Sequence, residues 1–128
     1  MNTLETNLPV VGRIFLAVIF VLAGLGKVPA VEFNVGYMEA FGVPGFLIWP
    51  TIVLEVVAGI MLAVGYKTRW AAAALAAFTL LSGLIFHTNF ADQMEMTSFL
   101  KNIAITGGLL YVIAFGAGAW SVDGRKAA

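Results

Sequence analysis

Thr51-Ile-Val-Leu-Glu55-Val-Val-Ala-Gly-Ile-Met-Leu62 sets one carboxylate into a stretch that otherwise reads as membrane interior. The apolar run around it covers 45–65 and holds no other charge, which is the length a spanning helix requires. Glu55 lies about ten residues from either end, hence about 15 Å deep at 1.5 Å per residue. A charge at that depth costs about 2.5–3.5 kcal/mol on insertion scales. Such a side chain must face protein rather than acyl chains, so the helix that carries it belongs in a bundle.

Three further runs supply the partners, over 9–26, 70–86 and 99–120. The fold class is therefore all-α, a four-transmembrane-helix bundle formed by one domain over 1–128. Composition agrees: 61% of the 128 residues are hydrophobic and 11% are charged, against about half and a quarter in soluble domains. Net charge is zero, which leaves no electrostatic footprint for nucleic acid. The first run is read as a retained helix rather than a signal peptide. Val28-Pro29-Ala30 loosely resembles a cleavage site, but Glu5 and no Lys or Arg precedes the run.

The connections are short. Lys67, Thr68 and Arg69 make the turn between the second and third spans. Between the first and second, Pro29 and Pro44 bracket a mixed segment in which Glu32 and Glu39 share a helical face, predicting a short interfacial helix. The third connection, from His87 to Ser98, is polar and acidic. Lys67, Arg69, Arg125 and Lys126 fall on one side with Arg13 near it, whereas Lys27 and Lys101 fall near the other. The excess of loop cations predicts that both termini face the cytoplasm. Trp49, Trp70, Trp120 and Tyr66 lie near span ends, as an aromatic belt requires.

Residues three, four and seven apart share a helix face. Arg13, Ala17, Phe20, Gly24 and Lys27 form such a stripe on the first span. Thr51, Glu55, Ala58 or Gly59, and Leu62 form the second, Ala76, Thr79, Gly83 and His87 the third, and Asn102, Thr106, Leu109, Ile113 and Gly116 the fourth. Each stripe joins small residues to most of the span's polar groups, the composition of helix–helix contacts in membranes. Arg13 is the expected partner of Glu55 in a buried polar pair, because Lys27 would have to fold back to reach it. Such a pair is open to two readings, one that fixes how helices pack and one that handles a proton or a ligand.

Lys27, His87, Lys101 and Asn102 gather at one end of the bundle by this topology. They are candidate ligand-binding residues, for an anion or a quinone carbonyl. Against that stand plainer roles: solvation for His87, snorkelling to the headgroups for the lysines and a helix-to-helix hydrogen bond for Asn102. The chain has no cysteine, which removes disulfide and thiolate chemistry. One histidine with scattered acids makes no metal-ligand spacing, and Gly107-Gly-Leu-Leu-Tyr-Val-Ile-Ala-Phe-Gly116 follows no strand, so it is helix-packing glycine rather than a dinucleotide fingerprint.

Several of these residues recur together in a known family. Arg13 with Gly24 and Lys27, Phe33…Met38…Gly42-Val-Pro44, Glu55…Gly59…Leu62…Gly65…Thr68-Arg69, His87, Phe99-Leu-Lys-Asn102 and Ser121-Val-Asp123 together resemble the DoxX family of small four-helix membrane proteins, over nearly the whole chain. The resemblance implies a subunit or accessory of a membrane redox process, since the family name derives from a subunit associated with a terminal quinol oxidase and thiosulfate:quinone oxidation. It makes a quinone the implied cofactor and a membrane or peripheral redox protein the implied partner, with a homo-oligomer open. Whether the chain is itself an enzyme stays open; a catalytic residue is not assigned. Two other classes compete, a non-catalytic scaffold or interaction module, which would use the acidic segment Ala91 to Glu95, and a small proton-coupled transporter.

Overall fold

The computed structural model describes residues 3–127, with side chains through Arg125. Lys126, counted above among the basic residues of one end, has its side chain outside the described residues. Four helices are long and apolar enough to cross a membrane. Helix α1 covers Thr3–Lys27 and passes through a 3₁₀ turn at Val28–Ala30 into the short α2, Val31–Ala40. Helix α3 covers Gly45–Val64, α4 Thr68–Phe86, α5 Gln93–Phe115, and a last short helix, α6, Val122–Ala127. The bundle with an interfacial helix between its first two spans is thus the observed architecture.

Helix α3 is a mosaic. It opens as a 3₁₀ turn over Gly45–Leu47, is α-helical over Ile48–Val53, widens to a π-helix over Leu54–Ala58 and returns to α over Gly59–Val64. The π segment holds Glu55 and turns both Glu55 and Ala58 into the bundle. Single π turns inside α-helices commonly mark functional sites.

Helix ends follow local chemistry. Gly65, at φ +74°, closes α3, with the Gly65 and Tyr66 N–H groups both donating to the Met61 carbonyl; a left-handed residue there favours glycine. The fourth span runs over 93–115 rather than 99–120. Asp92 starts it early by accepting from the Met94 and Glu95 N–H groups, and Gly116, at φ +77°, stops it early. Part of the acidic segment Ala91 to Glu95 is therefore helix rather than loop.

The spans pair most closely as α1 with α3 and α4 with α5. Their shared core is built from Ala17, Phe20, Ala58, Leu62, Ala71, Ala72, Leu75, Ala76 and Leu109. Alanine and glycine let the backbones approach, the main source of helix association where lipid is as apolar as leucine. At the α1–α3 crossing, a Cβ on Gly24 would come within 2.7 Å of Val56, and one on Gly59 within 2.8 Å of Val21. The outward faces carry Phe15, Leu22, Val53, Ile60, Leu81, Leu84, Leu110 and Tyr111, all exposed, as a lipid-facing surface requires.

Candidate functional site

The buried residues of α1 are Arg13, Ala17, Phe20 and Gly24, and those of the π segment are Glu55 and Ala58. Both ionisable groups are inside the protein, Arg13 at 4% exposure and Glu55 at 3%. They are not partners. Glu55 Oε1 accepts from Lys27 Nζ at 2.6 Å. Arg13 donates to the Ala117, Trp120 and Ala63 carbonyls, the last two at 2.8 and 3.3 Å, and Asp123 adds an attractive electrostatic interaction to it.

The direction of side chains explains the exchange. In an α-helix the Cα–Cβ bond tilts toward the helix N-terminus. On α1 that points Arg13 toward the end where the chain begins. On α3, which runs the opposite way, it points Glu55 toward the Lys27 end. Lys27, in the last turn of α1, tilts back into the bundle, and its Nζ also approaches the Ala23 carbonyl at 3.4 Å. The expected Arg13–Glu55 pair is corrected on this point, and the folding back of Lys27 is what occurs.

The pair borders a cavity of about 420 Å³ bounded by α1 to α5. Lys27, His87, Lys101 and Asn102 all line it, together with Glu55. Its other polar groups are Asn34, Tyr37, Thr51, Thr79 and Ser82, and its walls include Ile19, Phe20, Ile48, Phe78 and Ile105. Asn102 Nδ2 donates to the Thr79 carbonyl at 3.1 Å, tying α5 to α4, and packs where Gly83 leaves room. His87 Nδ1 lies 3.0 Å from Glu95 Oε2. Helix α2 borders the cavity through Tyr37, and the rings of Tyr37 and of Phe41, in the turn after α2, stand with centroids 5.4 and 5.2 Å from that of Phe86 on α4.

Glu95 as the neighbour of His87, and Tyr37, Asn34 and Ser82 as lining residues, went unread in the sequence. Glu95 sits eight residues beyond His87, across a loop, where helical spacing carries no signal. Tyr37 and Asn34 lie on a short helix with little difference in polarity between its faces, so its docking direction depends on tertiary contacts.

A second cluster holds the opposite end. The Asp123 carboxylate accepts from the Lys67 and Thr68 N–H groups, both at 2.8 Å, and from Thr68 Oγ1 at 2.7 Å, and its own N–H donates to the Gly65 carbonyl. The residue thus supplies from α6 the N-terminal cap that α4 lacks within its own sequence.

The DoxX family model matches residues 8–88. The chain belongs to the DoxX family. The match runs from within α1 to the end of α4 and includes His87, while Lys101 and Asn102 line the cavity from α5, beyond the matched residues. The chain is 41% identical over 123 residues to inner membrane protein YqjF of Escherichia coli (strain K12), a similarity that covers 96% of this chain and 95% of that protein. It is 33% identical over 122 residues to inner membrane protein YphA of the same organism, covering 90% and 87%. It is 36% identical over 83 residues to the ER-derived vesicles protein ERV29 of Saccharomyces cerevisiae, covering 61% of this chain and 27% of that protein. No solved structure matches.

Proposed function

We propose that this protein is an inner-membrane accessory subunit of a quinone-linked redox process, and that its cavity holds the head of a quinone-like ligand. The observation that carries the proposal is the Lys27–Glu55 pair set at the edge of a cavity of about 420 Å³, within the range of about 300–1,000 Å³ typical of small-molecule sites. A quinone offers a flat apolar ring with two carbonyl acceptors. Phe20, Phe78 and Ile105 fit the ring. Lys27 has three N–H donors, not all of them used by Glu55 and Ala23, and the Asn102 amide and Lys101 stand on another wall. The residues present therefore fit such a head by shape and by donor chemistry.

In this reading Lys27 and Asn102 bind and orient the carbonyls, and Glu55 holds the Lys27 side chain in place and is positioned to accept or return a proton at the ligand. Redox chemistry would be supplied by the quinone and the partner protein, since no cysteine is available to carry electrons. The loop cations support an orientation with both termini in the cytoplasm, which puts this cavity toward the far face of the membrane.

Titrating the purified protein in lipid nanodiscs with ubiquinone and menaquinone analogues tests the reading. Saturable binding to the wild type, weakened in Lys27→Met and Asn102→Leu, is the expected result; a folded wild type without saturable binding removes it. A stoichiometric protein partner with no bound small molecule would favour the scaffold, and proteoliposome flux abolished by Glu55→Gln the carrier.

A further inference from the structure

A second cavity, of about 370 Å³, lies at the opposite end of the bundle, where α4 begins and α5 ends. Lys67 and Arg69 line it, flanked by Trp70 and Phe115. Both cations are exposed, and among the described residues neither forms an ion pair with a carboxylate. Lys67 is held at φ +44°, the single positive φ among described non-glycine residues. Such strain of about 1–3 kcal/mol persists where the surrounding structure imposes it, and it clusters at binding sites. Across the cavity Gly116 leaves the space in which the Arg69 guanidinium lies: a Cβ there would meet Nε at 3.2 Å and Nη2 at 3.3 Å.

Depth identifies the ligand. Thr68 opens one spanning helix and Phe115 closes another, so the cavity sits at the membrane boundary. Trp70 and Phe115 are 79% and 75% exposed, placed below the cations to touch acyl chains. Asp123, the one acid lining the cavity among the described residues, has its carboxylate engaged by the Lys67 and Thr68 N–H groups and the Thr68 hydroxyl. The backbone N–H groups of Arg69 and Trp70, in the first turn of α4, have no intrahelical acceptor and add to the attraction for an anion.

We propose that this cavity binds the phosphate of an anionic phospholipid headgroup between Lys67 and Arg69, with the acyl chains lying against Trp70 and Phe115. A basic pocket between spans at the headgroup level has the chemistry of such a site. The shared ligand chemistry is a phosphate anion, and lipid attachment is what the two exposed aromatic rings select.

Native mass spectrometry of the full chain, released from nanodiscs made of equal parts phosphatidylglycerol and phosphatidylcholine, tests the assignment. The trimethylammonium of phosphatidylcholine cancels the charge on the same phosphate, and each cation is worth about fivefold toward a net-anionic lipid, so the wild type should retain phosphatidylglycerol with a preference of about 25-fold. Lys67→Gln should lower the preference about fivefold, the double variant Lys67→Gln/Arg69→Gln should bring it near parity, and Arg125→Gln, outside the cavity lining, should leave it unchanged. Parity in the wild type, an unchanged double variant of wild-type helicity, or an equal loss in Arg125→Gln would each overturn the site. Excess inorganic phosphate should leave the bound lipid in place. Displacement by phosphate would show that the free anion, not the lipid, is the ligand.

Discussion

Replacing Lys27 by Met removes the cation that pairs with Glu55. At 2.6 Å and an effective dielectric of about 20, the attraction between the two charges is roughly 6 kcal/mol. Desolvation of the two ions, at several kcal/mol each, offsets most of it, so the intact pair contributes little net stability. The vacancy is another matter, because a buried carboxylate stripped of its partner typically costs about 3–5 kcal/mol. The Lys27 side chain is 24% exposed, which places Lys27→Met near the lower bound, at about 3 kcal/mol. Glu55→Gln should cost less, about 1–2 kcal/mol, because the lysine stem can carry its ammonium to the headgroups. In Lys27→Met/Glu55→Gln no charge is left stranded, so the double variant should fall short of additivity by about 2 kcal/mol, within the range of contacting pairs. Reversible unfolding in mixed micelles, followed by far-ultraviolet circular dichroism, gives the four corners of the cycle. A parallel cycle with Arg13→Met and Glu55→Gln should be additive within about 0.5 kcal/mol. Additivity for Lys27 with Glu55, or coupling above that level for Arg13 with Glu55, would refute the pairing.

Asp123→Ala should destabilise the protein by about 1–2 kcal/mol, as the loss of a helix cap does, read as a lower midpoint in the same unfolding assay; Asp123→Asn should recover part of it. Gly24→Ala should cost about 1–3 kcal/mol by overpacking, since the added carbon meets Val56 at 2.7 Å and Glu55 Cβ at 3.1 Å, whereas Gly26→Ala, with open space at its Cβ position, should be neutral. Asn102→Ala should cost about 1 kcal/mol or less, because interhelical hydrogen bonds in membranes average about 0.6 kcal/mol. A cytoplasm-active reporter fused to the carboxyl terminus should be active in cells; a silent reporter on an expressed fusion would reverse the proposed orientation.

The spans and their inward faces were legible because hydrophobic run length and helical period are properties of the chain itself. Arg13, Ala17, Phe20 and Gly24 share the buried side of α1, as their spacing implies, and Asn102, Thr106 and Leu109 do so on α5. Convergence of Lys27, His87, Lys101 and Asn102 on one cavity was legible in outline, since topology alone sends them to one end. The partner of Glu55 was not, because depth counted along the backbone ignores the several ångströms a long side chain travels, and in which direction. The carbonyls that hold Arg13 come from Ala63, Ala117 and Trp120, and the last two lie in a segment that doubles back after Gly116. No periodicity foretells that reversal. The fourth span was misplaced by the same kind of cause: its limits are set by a side-chain cap and a glycine, not by hydropathy.

The widened turn at Leu54–Ala58 behaves like one residue added to an otherwise regular coil. Deleting a single amino acid from it would let the α ladder close and leave everything downstream on its present face, because the widened turn already absorbs one residue's share of rotation, about 100°. A deletion in the regular α-helical part before it would instead swing the residues beyond by that angle, so that Gly59 would leave its seat against Val21 and Leu62 would rotate out of the core toward lipid. This short tract should therefore accept a one-residue deletion that the flanking turns do not, and a library of single-codon deletions across α3 would register it as a phase adjuster between the half before the carboxylate and the half that grips the first helix.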